Sequence, residues 1–467
     1  MAYQHKKFTF ATNLYNFEIL ISGNTQFICH IKKTNNMKKY LLFVFTFLFS
    51  GFAFGQTYFP PVQGTNWDKL SPDSLHWCQN KIDSLYNYLD NKNTKAFLLL
   101  KNGKIVLEKY FGTHTETSSW YWASAGKSLT AFITGIALQE GKLSLSDVSS
   151  KYLGQGWTSC SPEKENLITI KHHLSMTTGL DDGVEDHFCT LNECLVYKSD
   201  AGTRWAYHNG PYTLMDKVIE SATGVSLNTY STLKLKNTTG ITGLFIPSGY
   251  NNVFYSTARS MARFGLLMLN KGVWNGTVIL SDTAYFNQMT HRSQEINKAY
   301  GYLWWLNGSS DYMVPQSQFK FNGPLNPDAP TDMYCALGKN GQFVNVVPSE
   351  KLVWVRMGEA PDGGDVPFLM NNEIWQYLNK LSCVPQAVSQ PAIKKTVVIE
   401  NRNDQIHIRA NENIRQIQVY NSSGSIQYRF EPNSDQFTIP NKLLNKQFIL
   451  LKIETVLGVT HIRKIVY

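Results

Sequence analysis

The stretch Trp120-Tyr-Trp-Ala-Ser-Ala-Gly-Lys-Ser128 decides how the rest of the chain is read, because it sets a hydroxyl and an amine three residues apart at a helix start. Ser124 and Lys127 then share one face of the first turn. From Leu129 the apolar residues fall at Leu129, Phe132, Ile133 and Ile136, which predicts a buried helix running until Gly141 stops it. The first turn of such a helix has backbone N–H groups without intrahelical partners. They stabilise an oxyanion and disfavour a protonated amine nearby, which suits a nucleophile beside its base. The spacing alone is weak, since SxxK recurs from Ser161 to Lys164, from Ser231 to Lys234 and from Ser317 to Lys320. Only Ser124 opens a long amphipathic segment after two strand-like runs and precedes two further motifs in a fixed order.

Working outward, residues 71–91 read as one helix, with Ser71 as cap and Pro72 at its first position. Residues 96–100 and 105–111 flank Lys101-Asn-Gly-Lys104 as a hairpin with Asn-Gly at its tip. Residues 142–240 carry many turn residues and few strand signals, so a mainly helical subdomain is expected there, and 254–271 reads as a further helix. Strands return at 332–338, 342–348 and 352–357, followed by a helix over 366–381. Joined to the early hairpin they predict one antiparallel sheet flanked by helices. The fold class is α/β, in the α+β sense, for a domain spanning 56–383.

With 467 residues, 43% hydrophobic and 13% aromatic, the chain has ample material for a core and for more than one domain. The formal charge of +9 is unevenly placed. Residues 1–55 hold six basic residues against one acidic, residues 386–467 eleven against six, and the middle 27 against 28. A neutral body argues against nucleic acid as a partner. Met37-Lys-Lys-Tyr, an apolar stretch over 41–54 and Ala53-Phe-Gly55 before Gln56 read as a signal peptide, which makes Met37 the expected start and 1–55 a region outside the mature protein. The apolar run is shorter than the roughly 20 residues that span a bilayer, so no stable membrane span is expected. Export permits disulfides among Cys78, Cys160, Cys189, Cys194, Cys335 and Cys383, with Cys189 and Cys194 close enough to close a small loop; buried free thiols are the alternative. No Cys/His spacing resembles a zinc site, and neither metal nor organic cofactor is expected.

The second motif is Tyr207-His-Asn209, whose phenol can relay protons and whose amide can hold a carbonyl or the lysine. The third is Lys339-Asn-Gly341, between two predicted strands, where Gly341 lets a substrate approach the backbone. In this order and context the three motifs resemble the serine β-lactamase and penicillin-binding-protein-like superfamily, most closely its class C and related esterase and peptidase branch. The resemblance extends over residues 67–381 and includes Leu174-Ser-Met-Thr-Thr-Gly-Leu-Asp181 and Tyr255-Ser-Thr-Ala-Arg-Ser-Met-Ala-Arg263. It implies Ser124 as acylated nucleophile, Lys127 as its base and Tyr207 as proton relay to the leaving group. It further implies Asn209 on the substrate, positive charge from Lys339, and an oxyanion hole from the N–H groups of Ser124 and Gln342. Asn340 stands where penicillin-recognising enzymes carry a hydroxyl residue, which speaks against antibiotic hydrolysis. No GxSxG elbow is present, and His172, His173, His187 and His208 read as loop or core histidines.

Residues 384–394 form a Pro-containing linker, after which short alternating runs around Ile406, Ile414, Val419 and Leu451 predict a small all-β sandwich over 395–467. Val419-Tyr-Asn-Ser-Ser-Gly424 and the closing Gly458-Val-Thr-His-Ile-Arg-Lys-Ile-Val-Tyr467 resemble type IX secretion sorting domains, which implies export machinery as a partner and a surface or extracellular location. The expectation is an exported serine hydrolase acting on an ester or amide in a small molecule or short peptide, with a β-lactam or D-amino-acid peptide also compatible. The competing reading is a silent relative that binds or senses.

Overall fold

In the computed structural model the runs on either side of Asn102-Gly103 pair as strands β4 (Thr94–Lys101) and β5 (Lys104–Tyr110), and both turn residues take the positive φ of a two-residue hairpin. The described residues are 57–361, 366–383, the strands within 6–31, and 397–465 except 403–404, 422–425, 441–448, 457 and 459. The expected signal peptide and the linker lie outside them.

Residues 6–31 were expected to belong to no domain. They form an antiparallel meander of β1 (Lys6–Thr12), β2 (Tyr15–Ser22) and β3 (Gln26–Ile31), within a compact unit of their own, because period-two alternation such as Phe17, Ile19, Ile21 runs through them.

The main sheet of the second unit adds β6 (Trp305–Leu306), β7 (Tyr334–Gly338), β8 (Gln342–Val347) and β9 (Leu352–Gly358), in the antiparallel order β6-β7-β8-β9-β4-β5. Both faces are covered, so β7, β8 and β9 are buried along their whole length. Successive residues of β9 show how. Val353 packs against Gly265 of helix α3 (Ala258–Leu269), and Trp354 meets Trp375 of helix α4 (Phe368–Leu378) on the opposite face. Helix α1 (Gln79–Asn91) packs beside α4, and helix α2 (Gly126–Gln139), which follows Ser124, lies buried from Gly126 through Ala137. Two expected helices change their bounds. The 71–91 segment is a short 3-10 turn, Pro72–Leu75, separated from α1 by His76 in the left-handed conformation. The break lets the Cys78 N–H reach the Leu381 carbonyl at 2.8 Å. Residues 254–256 belong to a strand, Asn251–Ser256, because it forms a hairpin with Leu244–Ser248 and pairs through Tyr255 and Ser256 with Trp120–Tyr121, and α3 starts only after the Thr257 cap.

The helical subdomain is a set of short helices from Ser150–Leu153 to Asn237–Thr239. His173 is a core residue there, bonded to Ser149 and the Pro211 carbonyl. The C-terminal module is an all-β half-barrel built on one 16-residue strand, Gln405–Tyr420. Its first half pairs with Val397–Arg402 and Ser434–Pro440, its second with Ile426–Phe430 and Ile449–Thr455, and the register shifts between. The shift bends the ladder around its own core of Ile406, Ile408, Ile417, Val419 and Leu451. Tyr420 and Leu450 also pack on Phe321, in a small apolar cluster with Phe319.

Cys78 and Cys383 form a disulfide across a sequence separation of 305 residues, and Cys189 bonds Cys194; Cys160 and Cys335 are free thiols. Closing so long a loop restricts the unfolded chain, an effect of about 2–5 kcal/mol. Cys78→Ser is therefore expected to lower the midpoint of thermal unfolding of the oxidised protein by several degrees. An unchanged midpoint would mean that the bond contributes nothing.

Candidate active site

The turn that carries Ser124 is held by the strand behind it. The Trp122 N–H donates to the Phe254 carbonyl at 2.8 Å, and its indole Nε1 donates to Ser256 Oγ at 2.7 Å. Ala123 takes a positive φ of 46°, a conformation that costs an L-residue about 1–2 kcal/mol. The chain thus turns abruptly and delivers Ser124 at the start of a 3-10 turn running into α2.

Three residues on, Lys127 is only 5% exposed. Its Nζ lies 3.0 Å from Ser124 Oγ and donates to Asn209 Oδ1 at 2.8 Å. The aromatic rings of Tyr212 and Tyr207 flank it, with centroids at 4.2 and 5.2 Å. Loss of water pushes the Lys127 ammonium down to about 7, against an opposing pull from Asp216. The Tyr207 hydroxyl, which interacts with Ser124, is raised by burial and stays a phenol at neutral pH. A neutral amine beside a serine hydroxyl, with a protonated phenol on the other side, can take one proton and give another.

The structure therefore brings Ser124, Lys127, Tyr207 and Asn209 together. Asn209 holds the lysine, whereas the resemblance placed it on the substrate. The third motif arrives from the sheet. A Cβ on Gly338 would lie 2.5 Å from the Trp122 carbonyl and 3.0 Å from the Ala125 nitrogen, so the end of β7 is pressed against the nucleophile turn. Lys339 is exposed on the turn that follows, and it is burial that depresses the Lys127 amine. Asn340 adopts φ 61° and donates from Nδ2 to the Tyr121 hydroxyl at 2.6 Å. Gly341 has φ 78°, and a Cβ there would meet Arg356 Nη1 at 2.4 Å. The side chain of Gln342 spans the sheet edge, donating from Nε2 to the Gly358 carbonyl at 2.6 Å and accepting from the Gly358 N–H at 3.0 Å.

Sequence reading missed Arg356. It is fully buried and donates to the carbonyls of Asn340, Gly341 and Lys92 and to Thr94 Oγ1, which fixes the Lys-Asn-Gly turn from beneath. No spacing in the sequence announces such a contact. Tyr212 was missed as well, although its place three residues beyond Asn209 on the same helix face could have found it. The arginines of 255–263 are structural: Arg259 pairs with Glu108 at 2.6 Å, and Arg263 lies against Trp67. Two of the other SxxK lysines pair elsewhere, Lys164 with Asp200 and Lys234 with Glu140. A cavity of about 570 Å³ lined by Phe286, His291, Asn307 and Met333 contains none of the candidate residues, so chemistry rather than volume locates the site.

With this geometry in hand, comparison with known proteins is informative. A family model described as Beta-lactamase matches residues 92–376. An uncharacterised protein of Alkalihalophilus pseudofirmus is 25% identical over 299 residues, covering 56% of this chain and 82% of that one. Protein flp of Staphylococcus aureus is 28% identical over 200 residues, but the match spans only 39% of its length. Among solved structures, a putative 6-aminohexanoate-dimer hydrolase from Bacillus anthracis superposes with TM-score 0.52 at 19% identity, covering 70% of this chain and 91% of that one. A putative beta-lactamase from Bacteroides dorei gives TM-score 0.53 at 17% identity, covering 65% and 99%. At these identities the two structures speak to the fold alone.

If the contact between β7 and the nucleophile turn positions Ser124, Gly338→Ala is expected to slow covalent modification of that serine by about 10²-fold. Time-resolved labelling with an activated ester checks this, and wild-type rates would show that the turn tolerates displacement.

Proposed function

Since the chain belongs to the beta-lactamase family, whose members are generally serine hydrolases, we propose that it is an exported hydrolase that cleaves an ester or amide through an acyl-enzyme on Ser124. The observation that carries the reading is the buried Lys127 amine, 3.0 Å from Ser124 Oγ and with its ammonium form pushed down to about 7. Lys127 accepts the Ser124 proton as Oγ bonds to the substrate carbonyl carbon. The N–H groups of Ser124 and Gln342 hold the oxyanion, and the Tyr207 phenol protonates the leaving group as the scissile bond breaks. Water then cleaves the acyl-serine ester. Because the Asn340 amide is tied to Tyr121 and no hydroxyl residue stands in the third motif, simple esters and short amides fit better than β-lactams.

A fluorophosphonate is expected to add once to wild type and not to Ser124→Ala, as read by intact mass. An unlabelled but folded wild type would instead favour a silent binding protein. Lys127 works only when neutral, and its neutral fraction grows as pH rises through about 7. The acylation rate should therefore climb with pH around that value, and a flat profile from pH 5 to 9 would remove Lys127 as base. Tyr207→Phe should impair poor leaving groups more than activated esters, since only the former need a proton.

Export is supported by the segment beginning at Met37 and by two disulfides, which persist in oxidising compartments. The half-barrel has its own core and holds none of the candidate residues, in keeping with a sorting role. A chain ending at Cys383, which retains the long-range disulfide, is expected to keep its activity yet fail to reach the surface of its native host. Loss of activity in that folded chain would assign the half-barrel to catalysis.

A further inference from the structure

Behind the Lys127 amine lies a carboxyl group that the reaction above does not use. Asp216 sits in the helix Met215–Thr223, four residues after Tyr212, whose ring covers Lys127 Nζ at 4.2 Å. Asp216 is buried, and its Oδ1 has no hydrogen-bond partner, which for a carboxylate is costly. A carboxyl group left in that condition holds a proton or faces a cation. The charged and titratable groups around it are few. Lys127 faces it from α2, Tyr212 and Glu220 share its own helical stretch, and the strand Asn251–Ser256 contributes the uncharged amide of Asn252, which bonds it. On the helix Ser150–Leu153, packed against the same stretch, Lys151 is paired with Asp147.

We propose that Asp216 is a positioning residue for the proton of Lys127, the two buried groups acting on each other through their charges and not through a hydrogen bond, so that the carboxyl group sets the pH at which the amine becomes a base. The inference rests on the reading of Lys127 as the base of Ser124. Two states exchange within the pair. In one, an ammonium faces a carboxylate and Lys127 cannot accept a proton. In the other, the proton resides on Asp216 and the neutral amine is free to take the Ser124 proton. Burial raises Asp216 to about 7 and lowers Lys127 to about 7, so neither state is strongly favoured and the ionisation belongs to the pair. The carboxylate stabilises the ammonium; without it the amine loses its proton more readily.

The test is the pH profile of Ser124 labelling by an activated ester in wild type and Asp216→Asn, a change that keeps the shape and the Asn252 contact. The acid limb is expected to move down by about one pH unit in the variant, as removal of a nearby opposite charge predicts, and the plateau rate to fall because a less basic amine is a weaker acceptor. A limb that stays in place, with labelling intact, overturns the proposal and leaves Asp216 a packing residue. No labelling of Ser124 in wild type at any pH would instead overturn the acyl-enzyme reading, so the two failures are distinguishable. A second measurement needs no Asp216 variant. Carboxyl carbon-13 NMR of wild type labelled at aspartate is expected to show one resonance titrating between about pH 6 and 8 that moves upward in Lys127→Ala, where the cation is gone. Absence of any such resonance, or one that ignores Lys127→Ala, overturns the coupling.

Discussion

The exclusion of water from one amine organises this molecule. An ammonium group loses several kcal/mol of hydration when it is taken into an apolar interior, and what Lys127 receives in return is an amide oxygen and two aromatic faces. The outcome is an amine that surrenders its proton near neutrality. Each structural layer contributes to keeping it dry. The α2 helix is buried from Gly126 through Ala137, Tyr207 and Tyr212 lay their rings against the amine, and the sheet presses through Gly338 on the turn that precedes it. The site is therefore a property of the packed domain rather than of a motif.

Precision is supplied by backbone contacts that have no side chain to advertise them. Ser124 stands where it does because Ala123 is forced through a left-handed conformation by the pairing of Trp120–Tyr121 with the strand Asn251–Ser256. The Lys-Asn-Gly turn is likewise rigid because the buried Arg356 directs its guanidinium at carbonyls of that turn. Burial pushes that guanidinium down to about 9, yet at neutral pH it remains charged and fully engaged. Both devices set strain or desolvation in one place against hydrogen bonds in another.

This explains what the sequence could and could not disclose. The period of 3.6 after Leu129 and the strand runs at 334–358 were legible because burial imposes a repeat on them. The three motifs were legible through their order. The break at His76 was not, because it serves a disulfide and a backbone bond to Leu381, 305 residues away for the cysteine pair. Nor was the conversion of 254–256 from helix to strand: the hairpin partner Leu244–Ser248 is near in sequence, but Trp120–Tyr121, which pairs with Tyr255 and Ser256, lies far off. Asp216 and Arg356 were missed for the same reason: each acts through a neighbour that comes close only after the chain has folded.

The two disulfides illustrate the division between stability and chemistry. Cys78–Cys383 lies at the two ends of the domain, just outside the pairing of β4 with β9, so the sheet already brings its loop together. Its effect falls on the entropy of the unfolded chain and leaves the site's geometry alone. Cys189–Cys194 closes only a small loop, and its entropic effect is correspondingly small. That loop nonetheless touches the site. The Gly210 N–H donates to the His187 carbonyl at 2.9 Å, and a Cβ on Gly210 would lie 2.3 Å from the Cys189 carbonyl. Gly210 follows Asn209, whose side chain holds Lys127. The bond with the smaller effect on folding is thus the one with a direct path to the buried Lys127 amine.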